Sequence, residues 1–101
     1  MYSVNMPSVE FEWDPSKELA NRRKHGVSFD EAASAFSDEN GRLIADPDHS
    51  ADEDRFVLLG MSIQARVLVV VHCYRGSDAV IRIISARRAT RREHRQYAQQ
   101  P

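Results

Sequence analysis

Five consecutive aliphatic residues, Val67-Leu68-Val69-Val70-Val71, constrain this chain more than any other stretch. A segment apolar at every position has no face to offer water. Arg66–Arg75 therefore reads as a central strand with packing on both sides. Its surroundings supply partners. Arg55–Met61 reads as a strand, Ser62–Ala65 as a hairpin turn, Gly76-Ser77-Asp78 as a second turn and Ala79–Arg87 as the next strand. Turns this short make the three strands an antiparallel meander. The aliphatic run is also far below the roughly 20 residues needed to cross a bilayer.

The first half of the chain supplies the helices. Val9-Glu10-Phe11-Glu12-Trp13 alternates apolar and acidic residues, the pattern of a strand with one buried face. Asp14-Pro15 is an N-cap followed by proline at the first helical position, so a helix should span Pro15–His25 and stop at Gly26. Ser28 with Glu31 reads as a capping box opening a second helix, whose core stripe is Phe29, Ala32, Ala33 and Phe36. Asp38-Glu39-Asn40-Gly41 ends it. Arg42–Asp46 is a short strand and Pro47–Asp54 an acidic loop. Thr90 with Glu93 is another capping box, opening a last helix that runs to Ala98. The order is β-α-α-β-β-β-β-α. This predicts an α+β fold with two N-terminal helices and one C-terminal helix on an antiparallel sheet. One domain over residues 1–101 is expected, with 1–8 and 99–101 flexible.

Composition narrows the class. Of 101 residues 42% are hydrophobic, enough for a core without disulfides or metal. The single Cys73 cannot form an internal bridge, and Met1–Asn5 lacks the basic start and apolar block of a signal peptide. A cytoplasmic, membrane-free protein is expected. The net charge of −1 conceals a segregation: residues 1–54 carry −8 and residues 55–101 carry +7. All nine basic groups of the second half are arginine, whose planar fork suits phosphate and stacks on bases. Either that half presents a polyanion-binding face, or the two halves neutralise each other across a solvated surface.

Several strings resemble the BrnT toxin family: Trp13-Asp14-Pro15, Asn21 with Lys24-His25-Gly26-Val27-Ser28-Phe29, Ala33 with Phe36, Glu53-x-Arg55, Leu59-Gly60, and Ile81-Arg82-Ile83-Ile84-Ser85-Ala86-Arg87-x-Ala89-Thr90, closed by Glu93 and Tyr97. They run from Val9 to Tyr97. The resemblance implies a RelE-like α+β fold, a metal-independent ribonuclease toxin of a bacterial type II toxin–antitoxin system, and neutralisation by BrnA, a DNA-binding antitoxin. It implies no cofactor and no metal.

RNA can be cut without metal by its own 2′-hydroxyl if a base takes the proton, cations stabilise the charged phosphate and an acid protonates the leaving oxygen. Arg55, Arg75, Arg82 and Arg87 lie on or at the ends of successive strands and could converge on one face. In a regular strand Arg82 and Arg87 point to opposite faces, unless a bulge intervenes; Arg87, at the strand end, is the favoured phosphate-directed group. His25, at a helix C-terminus, is the candidate acid or base, against the reading of a helix-ending cation. Lys24 and Arg88 are candidate RNA contacts, against ordinary solvated side chains. Glu93 is a candidate base or a positioner of Arg87, against a capping role alone. Tyr97 is a stacking or proton-donating candidate, against packing. His72, mid-strand, reads as a buried, satisfied histidine. Two alternatives stand beside the ribonuclease: a non-catalytic nucleic-acid- or partner-binding module, and a metal hydrolase built on His49 and its flanking carboxylates.

Overall fold

The computed structural model describes residues 9–46, 55–76 and 79–99. The acidic loop with Glu53 and His49, and Ser77-Asp78 of the second turn, lie outside the described residues. The chain forms β1 (Glu10–Glu12), α1 (Pro15–His25), α2 (Phe29–Ser34) prolonged by a 3₁₀ turn (Ala35–Ser37), β2 (Arg42–Ala45), β3 (Arg55–Met61), β4 (Val67–Arg75), β5 (Val80–Arg88) and α3 (Arg91–Ala98). The strands make one sheet in the order β1-β5-β4-β3-β2.

The α1 boundaries follow from the caps. The Asp14 side chain accepts the Ser16 N–H, Pro15 occupies the first turn, and Gly26 closes the helix in the left-handed region at φ 70°. At α2 the Ser28 hydroxyl accepts the Glu31 N–H, but the expected reciprocal half of that box is absent. The Glu31 carboxylate turns inward instead, to Arg66 and the Ser62 hydroxyl. The Thr90–Glu93 box is complete.

The sheet is mixed, which corrects the antiparallel expectation. β2 to β5 pair antiparallel, while β1 pairs parallel with β5, with Glu12 opposite Arg82. The physical reason lies in the segment after β1. Beyond Glu12 the chain continues along β5 in the same direction as α1, and Asn21 takes over the edge that the short strand leaves. Its amide donates to the Ala86 carbonyl at 2.8 Å and to the Val27 carbonyl at 3.0 Å, and its oxygen accepts the Ala86 N–H at 3.1 Å. A side chain thus replaces a strand where unpaired backbone would otherwise be buried.

β4 and β5 slip by one residue at Val71/His72: His72 pairs with Ile83 and Val71 with Ser85, so Ile84 is the extra residue of a bulge. The burial pattern shows it, since Ile81, Ile83 and Ala86 are the buried positions of β5. α1 and α2 cover one face, where Leu58, Leu68, Val70, Ile81, Ile83 and Ala86 pack against Val27, Phe29, Ala32 and Ala35. On the other face Val57, Leu59, Val67 and Val69 form a smaller cluster, packed by Ala89 and by Tyr97 of α3.

Candidate functional site

The bulge decides where the arginines of β5 point. Directly paired residues share a sheet face. Arg82 is level with Cys73 and Arg87 with Val69, both on the face away from α1 and α2. Arg55 is also level with Cys73. Glu12, Arg82, Cys73 and Arg55 therefore form one row across four strands, and Arg75 stands one step further along the same face. Within it, Arg82 Nη1 donates to Glu12 Oε2 at 2.8 Å, and Arg75 Nε lies 3.4 Å from the same oxygen. These side chains remain accessible: 34% for Arg82, 58% for Arg75 and 39% for Glu12.

Arg87 belongs to a second row four residue pairs away, a separation of ~13 Å along the strands. α3 crosses this row. At its first turn Glu93 accepts both terminal nitrogens of Arg87, at 2.8 and 2.9 Å, and also accepts the Thr90 N–H. The Arg87 guanidinium, aided by Thr90, holds the Glu93 carboxyl down at about 2 against the cost of burial. Capping and positioning are thus both duties of Glu93. At its far end the helix is tied to the β2 edge of the sheet. Arg42 donates to the Gln96 carbonyl, and the Tyr97 hydroxyl donates to Asp38 Oδ2 at 2.6 Å. That bond to Asp38 pushes the Tyr97 hydroxyl up to about 12. The Tyr97 ring meanwhile packs on the Val57–Val69 cluster.

His25, Lys24 and Arg88 lie elsewhere. Arg88 is level with Leu68, on the face covered by α1 and α2, where it adds the smallest share to a lowering of the Glu31 pKa that comes chiefly from the Arg66 hydrogen bond. The Gly26 carbonyl accepts from Arg66, immediately before β4. The end of α1, with His25 and Lys24, is therefore at the β5 C-terminal end of the sheet, on the helical layer. The row of Arg55 and Arg82 is about five pairs, ~17 Å, along the strands from Arg88. Thus the structure gathers Arg55, Arg75 and Arg82. It sets Arg87, Glu93 and Tyr97 under and on α3, and leaves His25, Lys24 and Arg88 at a third place.

His72 is fully buried. Its Nδ1 is 3.0 Å from the Val70 carbonyl, which can only accept, so Nδ1 carries the proton and Nε2 faces the Tyr74 hydroxyl at 3.3 Å. Burial lowers its pKa and keeps the ring neutral. Sequence reasoning missed the roles of Glu12, Asp38 and the Glu31–Arg66 pair. For Glu12 a signal existed, since the alternation of β1 already turned it from the core; its partner stands 70 positions away in the chain.

The profile of the family described as the ribonuclease toxin, BrnT, of type II toxin-antitoxin systems matches residues 13–93. The chain belongs to the BrnT family. Among solved structures, the crystal structure of the Brucella abortus ribonuclease toxin BrnT is similar, with a TM-score of 0.64 and 21% identity over 82% of this chain and 99% of that one. At that identity the likeness speaks for the BrnT fold. No curated protein sequence matches the chain. No helix among the described residues of this BrnT chain is long and apolar enough to cross a membrane.

Proposed function

We propose that this chain is a toxin that cleaves RNA without a metal, through attack of the RNA 2′-hydroxyl on the adjacent phosphate. A BrnA-like DNA-binding antitoxin holds it inactive. One observation carries the reading: the bulge in β5 turns Arg82 to the same accessible face as Arg55, Arg75 and Arg87. A regular strand would have split them. Guanidinium groups there can accept a phosphate in a planar fork and stabilise the charge that grows on it as the 2′-oxygen attacks. Arg55 and Arg82 take the scissile phosphate, with Arg75 beside them. Arg87, in the second row, meets a neighbouring nucleotide, and Glu93 holds it in place. Tyr97 keeps α3 docked so that this geometry persists. Lys24, His25 and Arg88 contact RNA that leaves the sheet at the end of β5.

The test mixes the purified protein with single-stranded RNA in EDTA. Expected are cleavage that survives EDTA and ends in a cyclic phosphate, resistance of a substrate with 2′-deoxy sugars, and a drop of about 100-fold in Arg82→Ala. Binding without cleavage would replace the reading with a non-catalytic module, and cleavage abolished by EDTA would replace it with a metal hydrolase. Induced expression in bacteria should arrest growth, and co-expression of a BrnA-like partner should restore it.

A further inference from the structure

The open face carries a base as well as cations. Three carboxylates of β1 and α3 reach it: Glu10 and Glu12 by their register on β1, and Glu93 from α3. Glu93 has both oxygens committed, Oε1 to Arg87 and the Thr90 N–H and Oε2 to Arg87. Glu10 is exposed and stands one step beyond the row of Arg55 and Arg82. Glu12 differs from both. It lies in that row, and the Arg82 hydrogen bond at 2.8 Å and the nearest Arg75 approach at 3.4 Å both fall on Oε2. Among the described residues Oε1 accepts no hydrogen bond, and the side chain is 39% accessible.

The chemistry asks for this arrangement. The 2′-hydroxyl to be deprotonated is attached next to the 3′-oxygen of the phosphate under attack. A base must therefore stand beside the cations that hold that phosphate, with one acceptor oxygen free. We propose that Glu12 is the general base of this face, with Oε2 oriented by Arg82 and Arg75 and Oε1 directed at the 2′-hydroxyl. This rests on the ribonuclease reading. In the step, Glu12 Oε1 takes the 2′-hydroxyl proton as the 2′-oxygen forms a bond to phosphorus. The bond from phosphorus to the 5′-oxygen breaks, and that oxygen takes a proton from water. The products are a 2′,3′-cyclic phosphate and a 5′-hydroxyl, and the hydroxide left behind takes the proton from Glu12. No redox partner or metal enters the balance.

The experiment measures cleavage of a mixed-sequence single-stranded RNA in EDTA as a function of pH. Glu12→Gln keeps the size and an acceptor oxygen for Arg82 but cannot take a proton. It should lose at least ~100-fold in kcat with KM changed only a few-fold, and the rise of rate with pH on the acid side should vanish. Glu10→Gln should behave as the unmodified protein. Glu12→Asp keeps a proton acceptor on a shorter arm. It should retain the acid limb at a rate reduced about tenfold, and this decides the matter should Glu12→Gln melt early. Glu12→Gln cutting within threefold of the unmodified protein, with its acid limb intact, overturns the assignment while leaving the ribonuclease reading in place. So does Glu12→Asp without an acid limb. If the unmodified protein cuts no RNA in EDTA, both fall together.

Discussion

The two faces of the sheet treat their polar groups in opposite ways. On the face covered by α1 and α2, polar side chains are buried and satisfied from within: Asn21 by the Ala86 and Val27 backbone, Glu31 by Arg66 and Ser62, His72 by Val70 and Tyr74. On the other face Arg75 and Arg82 both touch Glu12, yet all three keep a third or more of their side-chain surface in water. A buried polar group is costly to strip of its partner. An accessible ion pair contributes little to stability and can be re-partnered by a ligand. The covered face therefore holds the fold, and the open face is free to do chemistry. Substitutions should sort the same way: those on the covered face move the melting point and spare cleavage per folded molecule, and those in the Arg55–Arg82 row do the reverse.

Asn21→Ala should show the largest effect on stability. It removes three hydrogen bonds and leaves the buried Ala86 N–H and carbonyl unpaired. A loss of about 2–4 kcal/mol is expected, which lowers the melting midpoint by at least ~10 °C in a chain of this size. Calorimetry checks it, and a shift below ~3 °C would mean the β5 edge is satisfied in another way. Glu31→Gln comes next. The Glu31 side chain is only 2% accessible, and Arg66 loses its ionic partner while the Ser62 contact can survive. About 2 kcal/mol is expected, less than outright removal of one partner of a buried pair because Arg66 still reaches water. Arg75→Ala supplies the contrast, since its side chain is 58% accessible. Stability should move by less than ~0.5 kcal/mol, while RNA cleavage falls by tenfold or more.

The same division explains how much could be read from the sequence. Local signals were legible where a few neighbouring residues decide the outcome. Asp14-Pro15 and Gly26 bound α1, Thr90 and Glu93 open α3, and the hairpins bound β3, β4 and β5. What escaped depends on partners far along the chain. β1 has three residues, too few to state its neighbour or its direction, and its parallel pairing with β5 makes sense only once α1 is seen running along the same edge. The capping reading of Glu31 failed because Arg66, 35 positions away, competes for the carboxylate more strongly than one backbone N–H. The bulge at Ile84 is invisible to an alternation rule, because nothing in Ile83-Ile84-Ser85 marks which residue is extra. That single slip separates two sites: arginines divided between faces, or arginines sharing one.

α3 lies between the two regimes, and its effects on stability should be smaller than those of Asn21 and Glu31. None of its residues is fully buried, and polar ties hold it at both ends, Glu93 to Arg87 and Tyr97 to Asp38. Tyr97→Phe keeps the ring on the Val57–Val69 cluster and deletes only the hydroxyl, so about 1 kcal/mol is expected. Acid should loosen the other end. The Glu93 carboxyl sits at about 2 in the folded protein against an ordinary 4.5. The unfolded chain therefore takes up that proton first as the pH falls, and the stabilisation is complete above about 4.5 and gone near 2. With Glu93 26% and Arg87 40% accessible, water screens the pair and the expected share is of order 1 kcal/mol. Glu93→Gln should flatten that part of the stability curve between about pH 5 and 2 by this amount. The unmodified protein and the variant losing stability in parallel over the window would show that the Arg87 pair does not anchor the helix. α3 would then rest on Tyr97, its apolar contact and the Arg42 bond to the Gln96 carbonyl.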